Sequence, residues 1–256
     1  KKLHNKFDII FAANVICHIP NMLSLFKCVE KSLKQNGYFI FEEPYLGAML
    51  EKTSYDQIYD EHFYMFSANS IISILDKFNL ELVSAERIST HGGSMRYYVK
   101  KTKSFKISKQ LKQVLKYEKD LKISKIKTIK KFAANCINSK KRILKIMNEI
   151  IAKDEDIYGY GATSKSTTIL HFCDVKDNFI QGIFDNTPTK INKHFPAKKI
   201  KIIDYKEFKT IKPKYCFLFA WNHYKEIFKK EKKNQIKWFC HINKKHFPKN
   251  VRKNFI

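Results

Sequence analysis

The sequence predicts an α/β protein with two doubly wound blocks of alternating strands and helices and a helical connector between them. Short apolar runs alternate with amphipathic helical patterns over the first hundred residues and again from residue 154. This alternation is typical of parallel sheets whose strands are joined by helices. Residues 104–153 contain neither glycine nor proline and carry helical spacing. We therefore expect three parts, at 1–103, 104–153 and 154–256.

The first block is expected to form a mainly parallel sheet. Its strand-like runs lie at residues 7–16, 38–41, 80–83 and 95–99. The first is an apolar run typical of a strand buried on both faces. Amphipathic helices are expected between the first three runs, and Ser67 is placed to cap the second of these helices. The last two runs follow one another without a helix, which predicts an antiparallel edge.

The connector and the second block continue the pattern. The connector is expected to hold two helices, whose lysine-rich faces are solvated. The second block predicts five strands, at residues 156–160, 179–185, 200–203, 215–221 and 236–240. A glycine turn at 159–161 leads into its first helix, and Asp204 is expected to cap a later one. This is the pattern of a small doubly wound unit.

Composition argues against several classes of protein. Of the 256 residues, 44% are hydrophobic and 14% aromatic, which argues against disorder. The longest apolar run, 9–19, contains Asn14 and His18 and is too short for a membrane span of about 20 residues. The opening residues 1–6 carry neither an initiator Met nor a signal core, so we expect a fragment of a longer reading frame. The six cysteines show no metal-ligand spacing and are typical of free thiols in a reducing cytoplasm.

The net charge of +26 raises the possibility of a nucleic-acid partner. However, lysine is spread along the whole chain beside abundant Ile, Asn, Phe and Tyr, as in proteins from AT-rich genomes. No arginine-rich face, zinc-finger spacing or RNP-like strand is present. We expect no specific nucleic-acid partner and no membrane partner, and we expect a cytoplasmic location.

Polar residues follow several predicted strands, at the edge where open parallel sheets bind ligands. They are Asn14, His18, Glu42, Glu43, Asp185, Asn186, Asn222 and His223. Each of them also has the simpler interpretation of capping a helix or satisfying a loop.

The segment 55–67 combines phenols, carboxylates and an imidazole within a run of aromatic residues. If residues 59–62 form a helical turn, Tyr59 and His62 lie on one face at i,i+3. A histidine beside a phenol can remove a proton from a carbon acid and stabilise the resulting enolate. A purely structural aromatic cluster remains the alternative.

Six collinear motifs together resemble one family. They are His18-Ile19-Pro20, Glu42-Glu43-Pro44-Tyr45-Leu46-Gly47, the run from Tyr55 to Phe63, His91-Gly92-Gly93-Ser94-Met95-Arg96, Gly159-Tyr160-Gly161-Ala162 and Ala220-Trp221-Asn222. The chain resembles the S-adenosylmethionine-dependent sugar C-methyltransferases, which methylate C3 of a dTDP-4-keto-deoxysugar. The blocks at His18 and at 59–62 are the specific ones, whereas a glycine turn alone is weak.

The resemblance implies a domain organisation. Residues 1–103 would form the later half of a class I methyltransferase Rossmann-like domain, 104–153 a helical connector, and 154–256 a second, smaller Rossmann-like domain. Family members also carry a zinc-binding N-terminal domain and a first glycine-rich turn that holds the cofactor, and this sequence contains neither. S-adenosylmethionine is therefore the implied cofactor, with zinc only in the absent domain and no metal at the active site.

The resemblance also implies catalytic residues. His62 would remove the C3 proton, and Tyr59 would stabilise the enolate or relay the proton. Glu61 would orient these groups, and His18 would contact the sugar from the opposite strand end. Asn14 would line the cofactor side.

The expected contacts to a nucleotide-sugar substrate are His91, Arg96, Lys165 and Asn222. Arginine suits diphosphate geometry, and the amides of residues 161–164 at a helix start, with Lys165, form a candidate anion site. A glycine turn kept only for packing is the alternative for that site. Two other functions stay open, a non-catalytic nucleotide-sugar-binding fragment and, less favoured, a basic nucleic-acid binder.

Overall fold

A computed structural model describes residues 3–102 and 106–256, and the chain divides into two compact units. Unit 1 comprises Lys1–Glu51 and Asp60–Lys131, and unit 2 comprises Lys52–Tyr59 and Phe132–Ile256. The expected connector, 104–153, is thus divided between the two units. A short segment of the first block, Lys52–Tyr59, belongs to unit 2. The expected boundary at 103–104 lies outside the described residues.

Unit 1 holds a four-stranded sheet with the strand order β1-β2-β4-β3. Its strands are β1 (Phe7–Ala13), β2 (Leu33–Pro44), β3 (Glu81–Ile88) and β4 (Ser94–Lys100). Its helices are α1 (Met22–Ser32), α2 (Leu46–Lys52), α3 (Ala68–Leu75) and α4 (Lys109–Leu121). The first turn and a half of the next helix, α5 (Ile126–Ile151), also belongs to this unit.

The predicted antiparallel edge is confirmed, because the hairpin of β3 and β4 forms one end of the sheet, but the expected mainly parallel sheet is wrong. Strand β1 is parallel to β2, whereas β4 is antiparallel to both of its neighbours and lies between them. The side chains of Met95, Tyr97 and Val99 on β4 are completely buried. Because such a strand must satisfy its backbone groups without water, it pairs on both sides.

Strand β1 was expected to be buried on both faces, and this expectation is also wrong. In the described residues β1 pairs only with β2. Ile9 and Phe11 each remain 60% exposed as a result.

Helix α3 begins where the sequence predicts. Ser67 accepts a hydrogen bond from the amide of Ser70, and the Ser70 side chain completes a capping box. The carboxylate of Glu118, on α4, accepts from the amides of Ala68 and Asn69 at 2.7 and 3.0 Å. A buried carboxylate therefore faces the positive end of α3, which joins the first connector helix to unit 1.

Unit 2 holds a five-stranded, entirely parallel sheet with the order β7-β6-β5-β8-β9. Its strands are β5 (Ile157–Tyr160), β6 (Gly182–Asp185), β7 (Ile202–Asp204), β8 (Tyr215–Leu218) and β9 (Lys237–Phe239). Its helices are most of α5, α6 (Ser164–Phe172), α7 (Phe208–Ile211), α8 (Tyr224–Lys230) and α9 (Lys249–Arg252). The first strand lies at the centre with crossovers to both sides, so the predicted doubly wound unit is confirmed. The two predicted connector helices are α4 and α5.

The glycine turn after β5 is required by its backbone and by its neighbour. Gly161 has a φ of +90°, and a Cβ at this position would lie 2.5 Å from the Cβ of Ala220. Only glycine combines this conformation with so close an approach.

We expect Gly161→Ala to destabilise unit 2 by at least about 1–2 kcal/mol, from the left-handed backbone alone. Trp221 and Trp238, the two tryptophans of the chain, both lie in unit 2, so thermal unfolding followed by tryptophan fluorescence reports on this unit. Ala197 has a φ of 52° and is exposed. Ala197→Gly is the control of opposite sign, and equal melting temperatures for both variants would contradict the prediction.

Within the described residues, we find no helix that is both long enough and apolar enough to cross a bilayer.

Candidate active site

The turn after β1 is shaped by a carboxylate from β2. Glu43 is fully buried, and its Oε1 accepts hydrogen bonds from the amides of Val15 and Ile16 at 3.0 and 2.6 Å. Asn14, just before them, has a left-handed φ of 54°. The buried Oδ1 of Asn14 has no hydrogen-bond partner in the described part of the chain. At the end of β1, the side chain of Asn14 therefore offers a hydrogen-bond acceptor that no donor among the described residues fills.

The next three residues, Ile16–His18, form a 3₁₀ turn that meets the segment around His62. The amide of Phe63 donates to the carbonyl of Cys17 at 2.9 Å. His18 Nδ1 lies 2.8 Å from the carbonyl oxygen of Glu61. The rings of His18 and His62 have centroids 5.1 Å apart. The fold of unit 1 thus brings together His18, Glu61 and His62, three of the four catalytic residues that the resemblance implied.

The hydrogen bond of His18 fixes its tautomer. A carbonyl oxygen can only accept, so Nδ1 of His18 carries the proton. In the neutral ring, Nε2 of His18 is then an acceptor. Glu61 contributes its backbone oxygen to this arrangement, and its side chain is exposed.

Sequence reasoning missed Cys17, which sits within an apolar run. Its side chain is 1% exposed. Burial and a hydrogen bond to the Glu43 carboxylate raise the pKa of Cys17 far above its ordinary value, so the thiol keeps its proton. Cys17 Sγ and one ring nitrogen each from His18 and His62 lie within 4.8 Å of one another.

The helical turn considered for residues 59–62 does not form. The helical turn lies earlier, as a 3₁₀ turn at Tyr55–Gln57, and it ends at Ile58, whose backbone is extended. Tyr59 lies in a bend and residues 60–61 in a turn instead. Tyr59 is half-buried and ends the segment that belongs to unit 2, whereas His62 belongs to unit 1. Tyr59 and His62 therefore do not lie on one face of a helical turn, and a joint role for them stays a prediction.

The segment that carries Tyr59 is anchored within unit 2 by a buried ion pair. Asp56 Oδ1 lies 3.0 Å from His241 Nε2, and both side chains are completely buried. The indole of Trp221 donates to the other Asp56 oxygen at 2.8 Å. Burial alone would raise the pKa of Asp56, but His241, Lys165 and Trp221 hold it below its usual value. Burial alone would likewise lower the pKa of His241, yet Asp56 and Cys240 raise it to about 9.

Arg96 is engaged inside unit 1. It lies opposite Glu42 in the β2–β4 register and donates to that carboxylate at 2.6 Å through Nε. Glu86 lies 3.8 Å from the same guanidinium. The structure thus gives Arg96 a cross-strand pairing role. Its contact with a diphosphate stays a prediction, as does that of His91, which lies exposed in the turn before β4.

Three of the four amides in the expected anion site at the glycine turn already have hydrogen-bond partners within unit 2. The amide of Gly161 donates to Phe184, that of Ala162 to the Asp185 carboxylate and that of Thr163 to the Ser166 hydroxyl. Engagement of these three donors favours the packing role of the turn, and anion binding at residues 161–164 stays a prediction.

Lys165 is 9% exposed, and burial lowers the pKa of its ammonium group although the Asp56 carboxylate acts to raise it. Lys165 therefore lies inside unit 2, and its contact with a phosphate stays a prediction. Asn222 is half-buried in the 3₁₀ turn that follows β8. Its contact with substrate remains a prediction.

Comparisons with known proteins agree with the motifs. Residues 89–242 match the model of the C-methyltransferase C-terminal domain, and residues 1–85 match a methyltransferase domain model. The C-methyltransferase NovU of Streptomyces niveus is 26% identical over 230 residues, which is 90% of this chain and 55% of that protein. The chain thus spans about half the length of this curated relative.

Two solved structures described as methyltransferases also align with part of the chain. One, from Bacillus halodurans, is 11% identical with a TM-score of 0.31 and covers 39% of this chain and 66% of its own. The other, described as S-adenosylmethionine-dependent and from Listeria monocytogenes, is 13% identical with a TM-score of 0.32 and covers 39% and 63%. Both TM-scores are below 0.5, and the α/β class follows from the strand orders of the two sheets.

Proposed function

This chain belongs to the C-methyltransferase family, and we propose that it is the portion of a methyltransferase that methylates a nucleotide-linked keto-deoxysugar at C3, next to a 4-keto group. The observation that carries this proposal is the meeting of His18 and His62 at the end of β1, with ring centroids 5.1 Å apart. Carbon methylation next to a ketone needs a base, a group that stabilises the enolate and a means of orienting the sugar. The described residues offer candidates for each.

S-adenosylmethionine is the expected methyl donor. The buried Oδ1 of Asn14 has no partner in the described residues and fits a hydrogen-bond donor such as the cofactor's ammonium group. When bound, the cofactor supplies an electrophilic methyl group on sulfur. Asn14 would therefore hold one side of the cofactor, as the resemblance implied.

His62 acts as the base. Its imidazole accepts the C3 proton, and the electron pair of that C–H bond moves toward the 4-keto oxygen to give an enolate. The resemblance assigns stabilisation of the developing oxyanion to the phenol of Tyr59, and this role stays a prediction. His18 Nε2, an acceptor in the neutral ring, holds a sugar hydroxyl. The arrangement raises the nucleophilicity of C3 at the place where the methyl group is delivered.

The test is methyl transfer by the full-length natural protein. Labelled S-adenosylmethionine is incubated with a dTDP-4-keto-6-deoxysugar that retains a C3 proton, and the product is analysed by mass spectrometry and NMR. We expect one methyl group on C3. Transfer to oxygen or nitrogen, or no transfer to any keto-sugar nucleotide, would contradict the proposal.

A second candidate, nucleotide-sugar binding without catalysis, is favoured by a cavity in unit 2. It has a volume of about 320 Å³ and lies at the carboxyl ends of β5, β6 and β8, where doubly wound sheets bind ligands. Gly161, Asp185 and His223 are among the residues that line it. This candidate requires that the chain bind dTDP in a calorimetric titration while the full-length protein transfers no methyl group.

A further inference from the structure

We infer that Cys17, His18 and His62 form a binding site for a thiophilic divalent cation such as Zn²⁺. The three side chains offer one sulfur and two imidazole nitrogens, and the candidate ligand atoms lie within 4.8 Å of one another. Zinc and its neighbours in the transition series bind this combination of ligands strongly. No spacing rule indicates the site, because His62 is far from Cys17 in the sequence.

The site is preorganised by the backbone. The hydrogen bond from Phe63 N to Cys17 O and the contact between His18 Nδ1 and Glu61 O hold the two segments together. The second contact is also the one that metal-binding histidines usually make, because it places the proton on Nδ1 and leaves Nε2 to bind. His18 therefore already has the tautomer of a ligand that binds through Nε2.

The remaining adjustment is small. In tetrahedral zinc sites, metal–sulfur and metal–nitrogen bonds of about 2.3 and 2.0 Å place the ligand atoms about 3.5 Å apart. To bring the three ligand atoms from within 4.8 Å of one another to about 3.5 Å, the side chains must move by about 1 Å. Metal binding displaces the thiol proton of Cys17, which is released to solvent water, so the metal takes the place of the proton on sulfur. Three protein ligands leave the fourth position for water.

Metal binding would have a consequence for activity, which rests on the proposed function. A metal bound to His62 occupies the lone pair that removes the C3 proton. The cation is therefore expected to inhibit methylation reversibly, and a chelator is expected to restore it. The site itself is tested without reference to activity.

Cobalt is the probe, because Co²⁺ takes the place of Zn²⁺ and is coloured. Titration of the purified chain with Co²⁺ is expected to give one equivalent of binding, with a thiolate-to-cobalt charge-transfer band and the visible bands of tetrahedral coordination. Added Zn²⁺ is expected to remove both. Cys17→Ser should abolish the charge-transfer band and weaken Zn²⁺ binding by about 100-fold or more, since even loss of an outer partner costs about 10–100-fold.

Two controls keep the test decisive. Cys28 is a free and exposed cysteine, and Cys28→Ser is expected to leave the band and the affinity unchanged. His62→Gln removes a half-buried ligand and is expected to weaken binding similarly while retaining the sulfur band. A band that survives in Cys17→Ser, or Zn²⁺ affinity that is equal in all variants, would overturn the site. Because these readouts are spectral, failure of the proposed methylation would leave them interpretable.

Discussion

Replacement of His62 by alanine is expected to lower the rate of methylation by about 100- to 10,000-fold, the usual contribution of a general base. The loss should fall on kcat, because the base acts on the C3 proton in the transition state and contributes little to substrate binding. A more specific measurement is exchange of the C3 proton with deuterium from solvent. Exchange needs the base and no methyl transfer, so it should stop in His62→Ala.

The matched control is His171→Gln, since His171 is exposed and belongs to unit 2. It should retain both turnover and exchange. His18→Gln distinguishes the two neighbouring imidazoles: exchange should persist in that variant while KM rises, because His18 is placed to hold the sugar. Normal exchange in His62→Ala, with its loss in His18→Gln, would reverse the two assignments.

Tyr59→Phe tests the oxyanion donor in the same assays. Loss of one such donor commonly costs about 100- to 1,000-fold in kcat. Tyr64→Phe is the matched control, because Tyr64 is exposed and its hydroxyl donates to the carbonyl of Pro20. Equal kcat values for the two variants would remove Tyr59 from the mechanism.

Local signals predicted much of the fold. Ser67 caps α3, Asp204 begins the short helix after β7, and the glycine at 161 marks the strand-to-helix turn. Each of these depends on neighbours within a few residues, so one sequence contains the information. The position of β4 between β2 and β3 depends on pairing with distant strands, and no local pattern records it.

In the candidate site too, the residues in local sequence motifs could be predicted, and those that depend on distant contacts could not. His18, Glu61 and His62 were found because they lie in specific motifs. Cys17 was missed because a cysteine within an apolar run is normally a small core residue. His241 was missed because its partner, Asp56, lies near the other end of the chain. A charged or imidazole side chain within an apolar stretch of sequence can indicate a buried ion pair. It does not indicate which distant residue is the partner.

Removal of Asp56 is expected to destabilise unit 2 strongly. Asp56→Ala leaves a protonated His241 buried without its counter-charge, and breaking a buried pair in this way typically costs about 3–5 kcal/mol. The indole of Trp221 also loses its acceptor. Tryptophan fluorescence during thermal unfolding should show the loss directly, since Trp221 contacts the substituted residue. The same unfolding releases the segment that ends at Tyr59. Unchanged melting of Asp56→Ala would contradict the ion pair.

The pair also predicts how stability depends on pH. The pKa of His241 is raised from 6.5 to about 9 in the folded chain, so its contribution is fully present below about 6.5 and is lost as the pH rises through 9. At about 1.4 kcal/mol per pKa unit, that contribution is about 3 kcal/mol. Asp56, with a lowered pKa, contributes in the opposite sense, and its share is lost as the pH falls below its ordinary value of 3.8.

We therefore expect the unfolding free energy of unit 2 to decline between pH 6.5 and 9, and His241→Gln to be less stable at pH 6 with a flatter profile over this range. His194→Gln is the matched control, because His194 is exposed and lies in the same unit. It should reproduce the decline of the parent chain. If His241→Gln declined as steeply as the parent, the proton lost in this range would belong to another group, and the buried pair would be neutral near pH 7.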